Sequence, residues 1–169
     1  TAANWTNGVW PQENMAVAIK NNASIASDKT YSGIHIAAGK SLSVNAGKGI
    51  TVRNSVTGTG TLVLKSDATN GTATLIGNVS SAATVEQYLP QGSDREWWYL
   101  ASPVTGAAWT VFGSNQVGGF SEPARSFSTP FKSTETLEAG KGYLVKLNAS
   151  QAENTYQFAN KTLNNGNIS

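Results

Sequence analysis

The stretch Gly33–Leu64, with the sequence GIHIAAGKSLSVNAGKGITVRNSVTGTGTLVL, decides the fold. Its apolar residues come in triplets whose first and third positions are apolar and whose middle position is small or polar, as in Ile34–Ile36 and Leu42–Val44. This alternation is typical of β-strands with one buried and one solvated face. Glycine, serine, asparagine and threonine separate the triplets, which predicts short strands joined by tight turns.

The triplets recur at intervals of 16 to 20 residues. One ladder aligns the triplets Val17–Ile19, Ile34–Ile36 and Ile50–Val52. A second ladder, out of phase with the first, contains Ile25, Leu42–Val44 and Leu62–Leu64. One coil of such a repeat cannot bury its apolar edge alone, so neighbouring coils stack and share a core. The pattern predicts a short right-handed parallel β-helix of roughly three to four coils, with Thr74–Gly77 as its last rung.

The pattern changes at Ala82, where the repeat stops and longer strands begin. We predict strands at Thr84–Leu89, Glu96–Ser102, Gly142–Leu147 and Thr155–Phe158, separated by loops that contain proline. The second half therefore indicates a small antiparallel β-sandwich or jelly-roll-like unit. The expected fold is all-β, with a parallel β-helix and its N-terminal cap over residues 1–81. The antiparallel domain, truncated at its C-terminal end, is expected over residues 82–169.

The amino-acid composition argues against several classes of binding partner and site. Charged residues make up 13% of the chain, and the net charge of +2 comes from scattered residues rather than from a basic run. We therefore expect no nucleic-acid partner. The chain has no cysteine, which excludes disulfides, thiolate metal sites and cysteine nucleophiles. No apolar run approaches the roughly 18 residues that a membrane helix needs, so membrane insertion is not expected.

The ends of the chain suggest processing. The sequence starts at Thr1 without a methionine and ends at Ser169 inside an asparagine-rich stretch. We expect it to be a piece of a longer precursor whose signal peptide has been removed, and we expect the mature protein to be secreted or on the outer cell surface.

Both halves of the chain carry characteristic motifs. In the first half, two tryptophans and a proline are followed by strand–glycine–strand units. The second half contains Trp98–Gly106 (WYLASPVTG), Leu137–Val145 (LEAGKGYLV) and Phe158–Gly166. The first set resembles the β-helix start, and the second set the signature, of large secreted proteins of the Bacteroidetes. Gln87 stands where the family usually has arginine, and the glycine expected after Phe158 is missing. The resemblance implies surface export and brings no catalytic activity.

The polar residues give little indication of catalysis or metal binding. The only cluster that a catalytic β-helix could use is Arg53, Lys65 and Asp67, expected on adjacent coils, and a solvated face explains it better. His35 is the only histidine and is expected on the surface, where one histidine cannot form a zinc site. No two carboxylates show a metal-ligand or glycosidase pattern. We expect no metal and no cofactor.

The aromatic residues indicate candidate binding positions more clearly than the polar residues do. In the strand around residues 96–100, Trp97 and Tyr99 share one face, and Trp98 and Leu100 share the other. Residues within the family signature are expected to be buried, namely Trp98, Tyr99 and Tyr143. Trp97 and Trp109 are the better candidates for exposed contacts with a sugar. Trp5 and Trp10, in the N-terminal loop, could also bind sugar, although a cap over the end of the β-stack is favoured.

These observations favour a non-catalytic extracellular or cell-surface module, serving as a stalk, adhesion or interaction domain of a larger exported bacterial protein. The first alternative is a carbohydrate-binding module of a polysaccharide-utilisation system. The second is a β-helix polysaccharide lyase or hydrolase. The expected partner is a glycan or another surface protein.

Overall fold

The computed structural model describes residues 11–90, 97–127, 136–147 and 155–165. These residues form a β-solenoid of about 3 turns that is followed by antiparallel sheets. The expected all-β fold, with a short parallel β-helix beside an antiparallel unit, is confirmed. Among the described residues the helical segment is a single 3-10 turn at Trp109–Phe112.

The solenoid is built from short strands in chain order. The strands are β1 (Ala16–Ile19), β2 (Ala23–Ile25), β3 (Lys29–Tyr31), β4 (Gly33–Ile36), β5 (Ser41–Val44), β6 (Gly49–Gly58), β7 (Thr61–Leu64), β8 (Ser66–Asp67), β9 (Gly71–Thr72) and β10 (Thr74–Val79). Those of the second half are β11 (Ala82–Tyr88), β12 (Trp97–Ala101), β13 (Ala107–Ala108), β14 (Gln116–Ser121), β15 (Ser126–Phe127), β16 (Thr136–Leu137), β17 (Gly142–Lys146) and β18 (Thr155–Lys161).

Parallel ladders stack the coils. One face consists of β1, β4 and the ends of β6 and β10, a second of β2, β5, β7 and β11, and a third of β3 and the starts of β6 and β10. In the second face the register aligns Ile25, Val44, Leu64 and Val85. The second predicted ladder is therefore confirmed, and it extends one strand further than expected.

Of the two pairings in the first predicted ladder, one is correct. Val17 pairs with Ile34, as expected, but Ile34 then pairs with Val56 rather than with Ile50. Ile50 lies on the third face, where it pairs with Lys29 and Leu75. The triplets Ile34–Ile36, on the first face, and Ile50–Val52, on the third, share the same apolar–polar–apolar pattern. The sequence period alone therefore cannot tell which face a triplet belongs to.

Glycines permit the tight stacking at one corner of the solenoid. Gly58 has a φ of 102° and Gly60 follows it between β6 and β7. A Cβ at Gly58 would overlap the backbone of Ile36 in the preceding coil, and a Cβ at Gly60 would overlap Ile36 and the carbonyl oxygens of Ala37 and Lys40. The chain can pass this close to the coil beneath only without a side chain.

The end of the solenoid is joined to the second half through a sheet. β11 pairs in parallel with β7 on one side and antiparallel with β18 on the other. The predicted rung at Thr74–Gly77 is present as part of β10, and β11 then adds a further strand to another face. The buried apolar residues form one cluster that extends from Ile19 in the first coil to Phe158 in β18.

The second half contributes a four-stranded sheet in the order β12-β17-β14-β15, with antiparallel neighbours. One side of this sheet is buried through Val117, Tyr143 and Val145. Phe112 is fully buried, and its ring makes edge contacts with Tyr156 at 5.2 Å and with Phe158 at 5.8 Å. Because β18 is also paired with β11, these rings connect the antiparallel part of the core to the solenoid.

Candidate binding surface

The other side of the four-stranded sheet carries exposed aromatic rings. Directly paired residues of an antiparallel sheet project from the same face. The register pairs Trp97 with Lys146, Tyr99 with Leu144 and Phe120 with Phe127. We call this side the aromatic face; its strand positions are Trp97, Tyr99, Ala101, Gln116, Gly118, Phe120, Phe127, Gly142, Leu144 and Lys146.

Four of these rings are well exposed: Tyr99 at 71%, Phe127 at 47%, Trp97 at 42% and Phe120 at 41% of their surface. On the opposite side of the same sheet Val117, Tyr143 and Val145 are buried, and Trp98 and Leu100 are partly buried against the core. The sheet is therefore apolar on both sides. One side packs against the core, and the other exposes aromatic rings to the solvent. Exposed apolar patches of this kind mark interaction sites in folded proteins.

The rings of Tyr99 and Phe127 converge. Their centroids are 6.3 Å apart, although β17 and β14 lie between the two strands that carry them. Backbones three strand positions apart are separated by about 14 Å, so the rings must lean toward each other over the intervening strands. Gly118 and Leu144 form a directly paired position between them, and Leu144 is only 9% exposed. The rings, rather than aliphatic groups, are what this face offers to a ligand.

Two further contacts define the aromatic face. Phe120 meets Phe127 edge-on, with ring centroids 5.3 Å apart. The ammonium Nζ of Lys146 lies 5.3 Å from the centroid of the Trp97 ring, within the range of a cation–π interaction. Lys146 supplies the charge at the strand positions of this face, and Gln116 is its direct neighbour on β14.

The predicted aromatic candidates have different surroundings. Trp97 lies on the aromatic face, paired with Lys146. Trp109 is partly buried against the core, and its indole nitrogen Nε1 is buried with no hydrogen-bond partner in the described structure. The structure therefore does not bring these two tryptophans to one surface. Trp5 and Trp10 lie outside the described residues.

The expectation for Tyr99 is wrong. Tyr143 is buried, as predicted, and Trp98 is partly buried against the core, but Tyr99 is the most exposed aromatic ring in the described chain. Strand alternation places Tyr99 and Trp98 on opposite sides of β12, so membership in the family signature does not imply that both residues are buried. The sequence analysis also missed Phe120 and Phe127. Their near-mirror setting, FSEPARSF, is the hairpin signal that could have paired them.

The cluster proposed for catalysis is not assembled. Arg53 donates from Nε to Oδ1 of Asn14 at 2.9 Å. Lys65 and Asp67 instead line a polar groove of about 410 Å³ with Glu86, and Arg53 is not part of it. The structure therefore offers no common site for these three residues to the second alternative, a β-helix lyase or hydrolase.

Asp67 stabilises its own loop. Its Oδ1 accepts hydrogen bonds from the backbone N–H of Asn70 at 2.6 Å and of Thr69 at 2.9 Å, and the side-chain amide of Asn70 donates to both carboxylate oxygens. These bonds, those from Asn70 foremost, lower the pKa of the Asp67 carboxyl. A general acid at neutral pH needs a raised pKa, so this environment is that of a turn-forming carboxylate.

Histidine and metal chemistry find no support in the described ranges. His35 is exposed, as predicted, with Nδ1 3.3 Å from Oγ1 of Thr57 on the next coil. Residues 11–90, 97–127, 136–147 and 155–165 contain no group of three or more histidine, aspartate or glutamate side chains placed to hold a metal ion.

The first coil ends in an apolar pocket of about 210 Å³. Its walls include Pro11, Val17, Ile25, Tyr31 and Leu42, side chains of the type that another coil or a cap covers in a solenoid. Burial raises the pKa of the Tyr31 hydroxyl. The predicted N-terminal cap over this end falls on residues outside the described ranges and stays a prediction.

A family model matches the chain over residues 1–169 and is described as a domain of unknown function, DUF8693. The chain belongs to this family. No curated protein and no solved structure matches this DUF8693 chain. Across the described residues of the chain, none of the helical structure has the length and apolar character that crossing a membrane would require.

Proposed function

We propose that this DUF8693 chain is a non-catalytic adhesion or interaction module of a larger exported bacterial protein, acting outside the cell or at its surface. The single observation that carries the proposal is the aromatic face, with its four exposed rings on a sheet whose other side packs against the core. Tryptophan and tyrosine are the residue types that contribute most to binding energy in protein contact surfaces.

The solenoid supplies a rigid support for that surface. Its coils are joined by parallel ladders on three faces, and the apolar cluster continues from the first coil into the second half. A surface held on packed strands keeps its geometry before the ligand arrives, which lowers the entropy cost of binding. This arrangement suits a spacer that presents a binding surface away from its point of attachment.

The arrangement of polar residues supports a non-catalytic role. Arg53 is separated from Lys65 and Asp67, and the Asp67 carboxylate is engaged by Thr69 and Asn70. Polysaccharide hydrolysis needs two carboxylates on either side of one bond, and the strand positions of the aromatic face carry none.

Carbohydrate binding is the second candidate function. Trp97 and Tyr99 project from the same side of β12, and both rings are exposed. A flat apolar ring with a polar edge can stack on the C–H face of a sugar and also hydrogen bond to its hydroxyls. The surface would then recognise a glycan rather than a protein.

The test uses the whole chain, labelled with a fluorophore, on an array of neutral and acidic glycans and on an immobilised envelope fraction of Bacteroidetes cells. We expect binding to at least one of these surfaces, and we expect the double variant Tyr99→Ser/Phe127→Ser to lose it while keeping its thermal unfolding transition. Unchanged binding by a folded double variant would contradict the assignment of the aromatic face as the binding surface.

A further inference from the structure

We propose that the polar groove of the solenoid, whose lining includes Asn45, Lys48, Lys65 and Asn70, is a second binding site and takes a sugar that carries a carboxylate. The lysine ammonium groups bind the carboxylate, and the asparagine side chains bind hydroxyl groups of the sugar. The inference goes beyond the proposed function, because none of these residues belongs to the aromatic face.

The shape of the groove follows from the stacking of the coils. Strands β5, β7 and β11 are paired in parallel register, so Asn45, Lys65 and Glu86 lie one above another at about the 4.8 Å spacing of neighbouring strands. The volume of about 410 Å³ falls within the range of roughly 300–1,000 Å³ that is usual for small-molecule sites. The groove therefore has room for a sugar unit rather than for a single ion.

The walls of the groove are in place before a ligand binds. The Asp67 carboxylate accepts hydrogen bonds from the backbone N–H groups of Thr69 and Asn70, which holds the turn on one side of the groove. This turn packs on the corner of the coil beneath it, where a Cβ at Gly47 would come within 2.5 Å of the Asn70 carbonyl oxygen. A preformed site loses little conformational entropy on binding.

The two carboxylates of the groove already have hydrogen-bond donors within the protein. Asp67 is engaged by its own turn. Glu86 accepts hydrogen bonds from the backbone N–H of Ser66 at 3.3 Å and from the side-chain amide of Gln157 at 3.2 Å. These donors are neutral, so the carboxylates do not neutralise the lysines through direct ion pairs.

The two lysines of the groove have unused donors. In the described part of the chain, the ammonium groups of Lys48 and Lys65 form neither an ion pair nor a hydrogen bond, and Lys48 is half-buried. Each ammonium group has three N–H donors, and a ligand carboxylate would accept charge-assisted hydrogen bonds from them. A divalent cation is a poor alternative ligand, because it would meet two ammonium groups.

The remaining lining favours a hydroxylated ligand. Of the residues that line the groove only Ala46 is apolar, so an aliphatic or aromatic ligand would bury little apolar surface there. The side-chain amides of Asn45 and Asn70 contain both donors and an acceptor, which suits the hydroxyl groups of a sugar. A uronic acid combines these hydroxyls with a carboxylate and so matches both kinds of group in the groove.

The experiment compares a sugar acid with a neutral form of the same sugar. Backbone N–H resonances of the whole isotope-labelled chain are followed by NMR during titration with glucuronate, with its neutral amide glucuronamide, and with acetate. We expect glucuronate to shift the resonances of Lys48 and Asn70 saturably. Its affinity should be about three- to tenfold higher than that of either other compound at low salt, the range that two exposed ion pairs support.

Two double variants test whether the lysines of the groove cause this preference. Lys48→Gln/Lys65→Gln should remove it. Lys20→Gln/Lys161→Gln makes the same change in net charge at exposed positions outside the groove and should keep it. The comparison of glucuronate with glucuronamide on the wild-type chain decides the question even if a variant fails to fold.

The other outcomes would each overturn the inference. Equal affinity for glucuronate and glucuronamide would exclude recognition of the carboxylate, and equal affinity for acetate would mean that any small anion binds. Absence of shifts at the groove, or a folded Lys48→Gln/Lys65→Gln variant that keeps the preference, would show that the groove is not the site. None of these results affects the proposed function, which depends on binding through Tyr99 and Phe127.

Discussion

Tyr99 and Phe127 lie on the outer strands of a four-stranded sheet, yet their ring centroids are only 6.3 Å apart. On the strands between them, Gly118 and Leu144 are paired in register with Tyr99; Gly118 has no side chain, and Leu144 is 9% exposed. Phe120 extends the cluster at 5.3 Å from Phe127. The rings are thus ordered against one another before any ligand binds, which is the condition for a surface that loses little entropy on binding.

We predict that the aromatic face contributes little to folding. Tyr99→Ala should change the free energy of unfolding by less than about 1 kcal/mol, because an exposed side chain loses few buried contacts. Val145→Ala, on the buried side of the neighbouring strand and 0% exposed, should cost about 2 kcal/mol. Urea denaturation of both variants measures the contrast. Equal losses would mean that the rings serve folding rather than binding.

Phe112 is predicted to hold the two halves in one cooperative unit. Its ring is fully buried against Tyr156 and Phe158 of β18. β18 pairs with β11, which in turn pairs with the solenoid strand β7. Phe112→Ala should therefore lower the free energy of unfolding by about 3–5 kcal/mol. We expect the wild-type chain to unfold in a single transition by far-ultraviolet circular dichroism and by tryptophan fluorescence. Separate transitions for the two probes would contradict one shared core.

Gly58 is predicted to be the most sensitive glycine of the solenoid corner. Gly58→Ala places a Cβ against the backbone of Ile36 at a φ of 102°, and a strained backbone of this kind costs about 1–3 kcal/mol. Gly33→Ala is the matched control, since the new Cβ meets only Ser55 O at 3.8 Å without a left-handed φ. Thermal unfolding should place Gly58→Ala well below Gly33→Ala. Similar transitions would contradict the close stacking of the coils.

Asp67 is predicted to ionise below its ordinary pKa. Hydrogen bonds from Asn70 and Thr69 lower the folded-state pKa from the ordinary value of 3.8. A lowered folded pKa means that the stabilising contribution is present above pH 3.8 and is lost as the pH falls through the folded value. Carboxyl NMR titration should show this shift. Asn70→Ala removes the side-chain amide but keeps the backbone N–H, so it should move the pKa of Asp67 only part of the way back toward 3.8. An unchanged pKa in that variant would contradict the contribution assigned to the side-chain amide.

The strands of the solenoid could be predicted from the sequence because alternation fixes which side chains face inward. The ladder through Ile25, Val44 and Leu64 was correct for this reason. The alignment of Ile34 with Ile50 failed because triplets of the same apolar–polar–apolar pattern lie on different faces of the solenoid. The path of the chain at a corner depends on contacts such as the one between Gly58 and Ile36. Such contacts cannot be predicted from the spacing of the triplets in the sequence.

The binding surface could be predicted only in part. Alternation along β12 correctly placed Trp97 and Tyr99 on one face, but it could not decide whether that face was covered. Burial depends on partners distant in the sequence, and Phe127 reaches Tyr99 only through the order of four strands. Lys146 became part of the site for the same reason, because its pairing with Trp97 and Gln116 is a property of the sheet register.

The most direct test of the central claim is the equilibrium binding curve of the whole chain on an envelope fraction or glycan that it recognises, measured for Tyr99→Ala and for Ile76→Ala. Ile76 is a fair control because it is an exposed apolar side chain, 62% accessible, on the solenoid strand β10. We predict at least about tenfold weaker binding for Tyr99→Ala, as for a contact residue of about 1.4 kcal/mol or more, and wild-type affinity for Ile76→Ala. Wild-type affinity for Tyr99→Ala, or an equal loss in both variants, would contradict the assignment of the aromatic face as the binding surface.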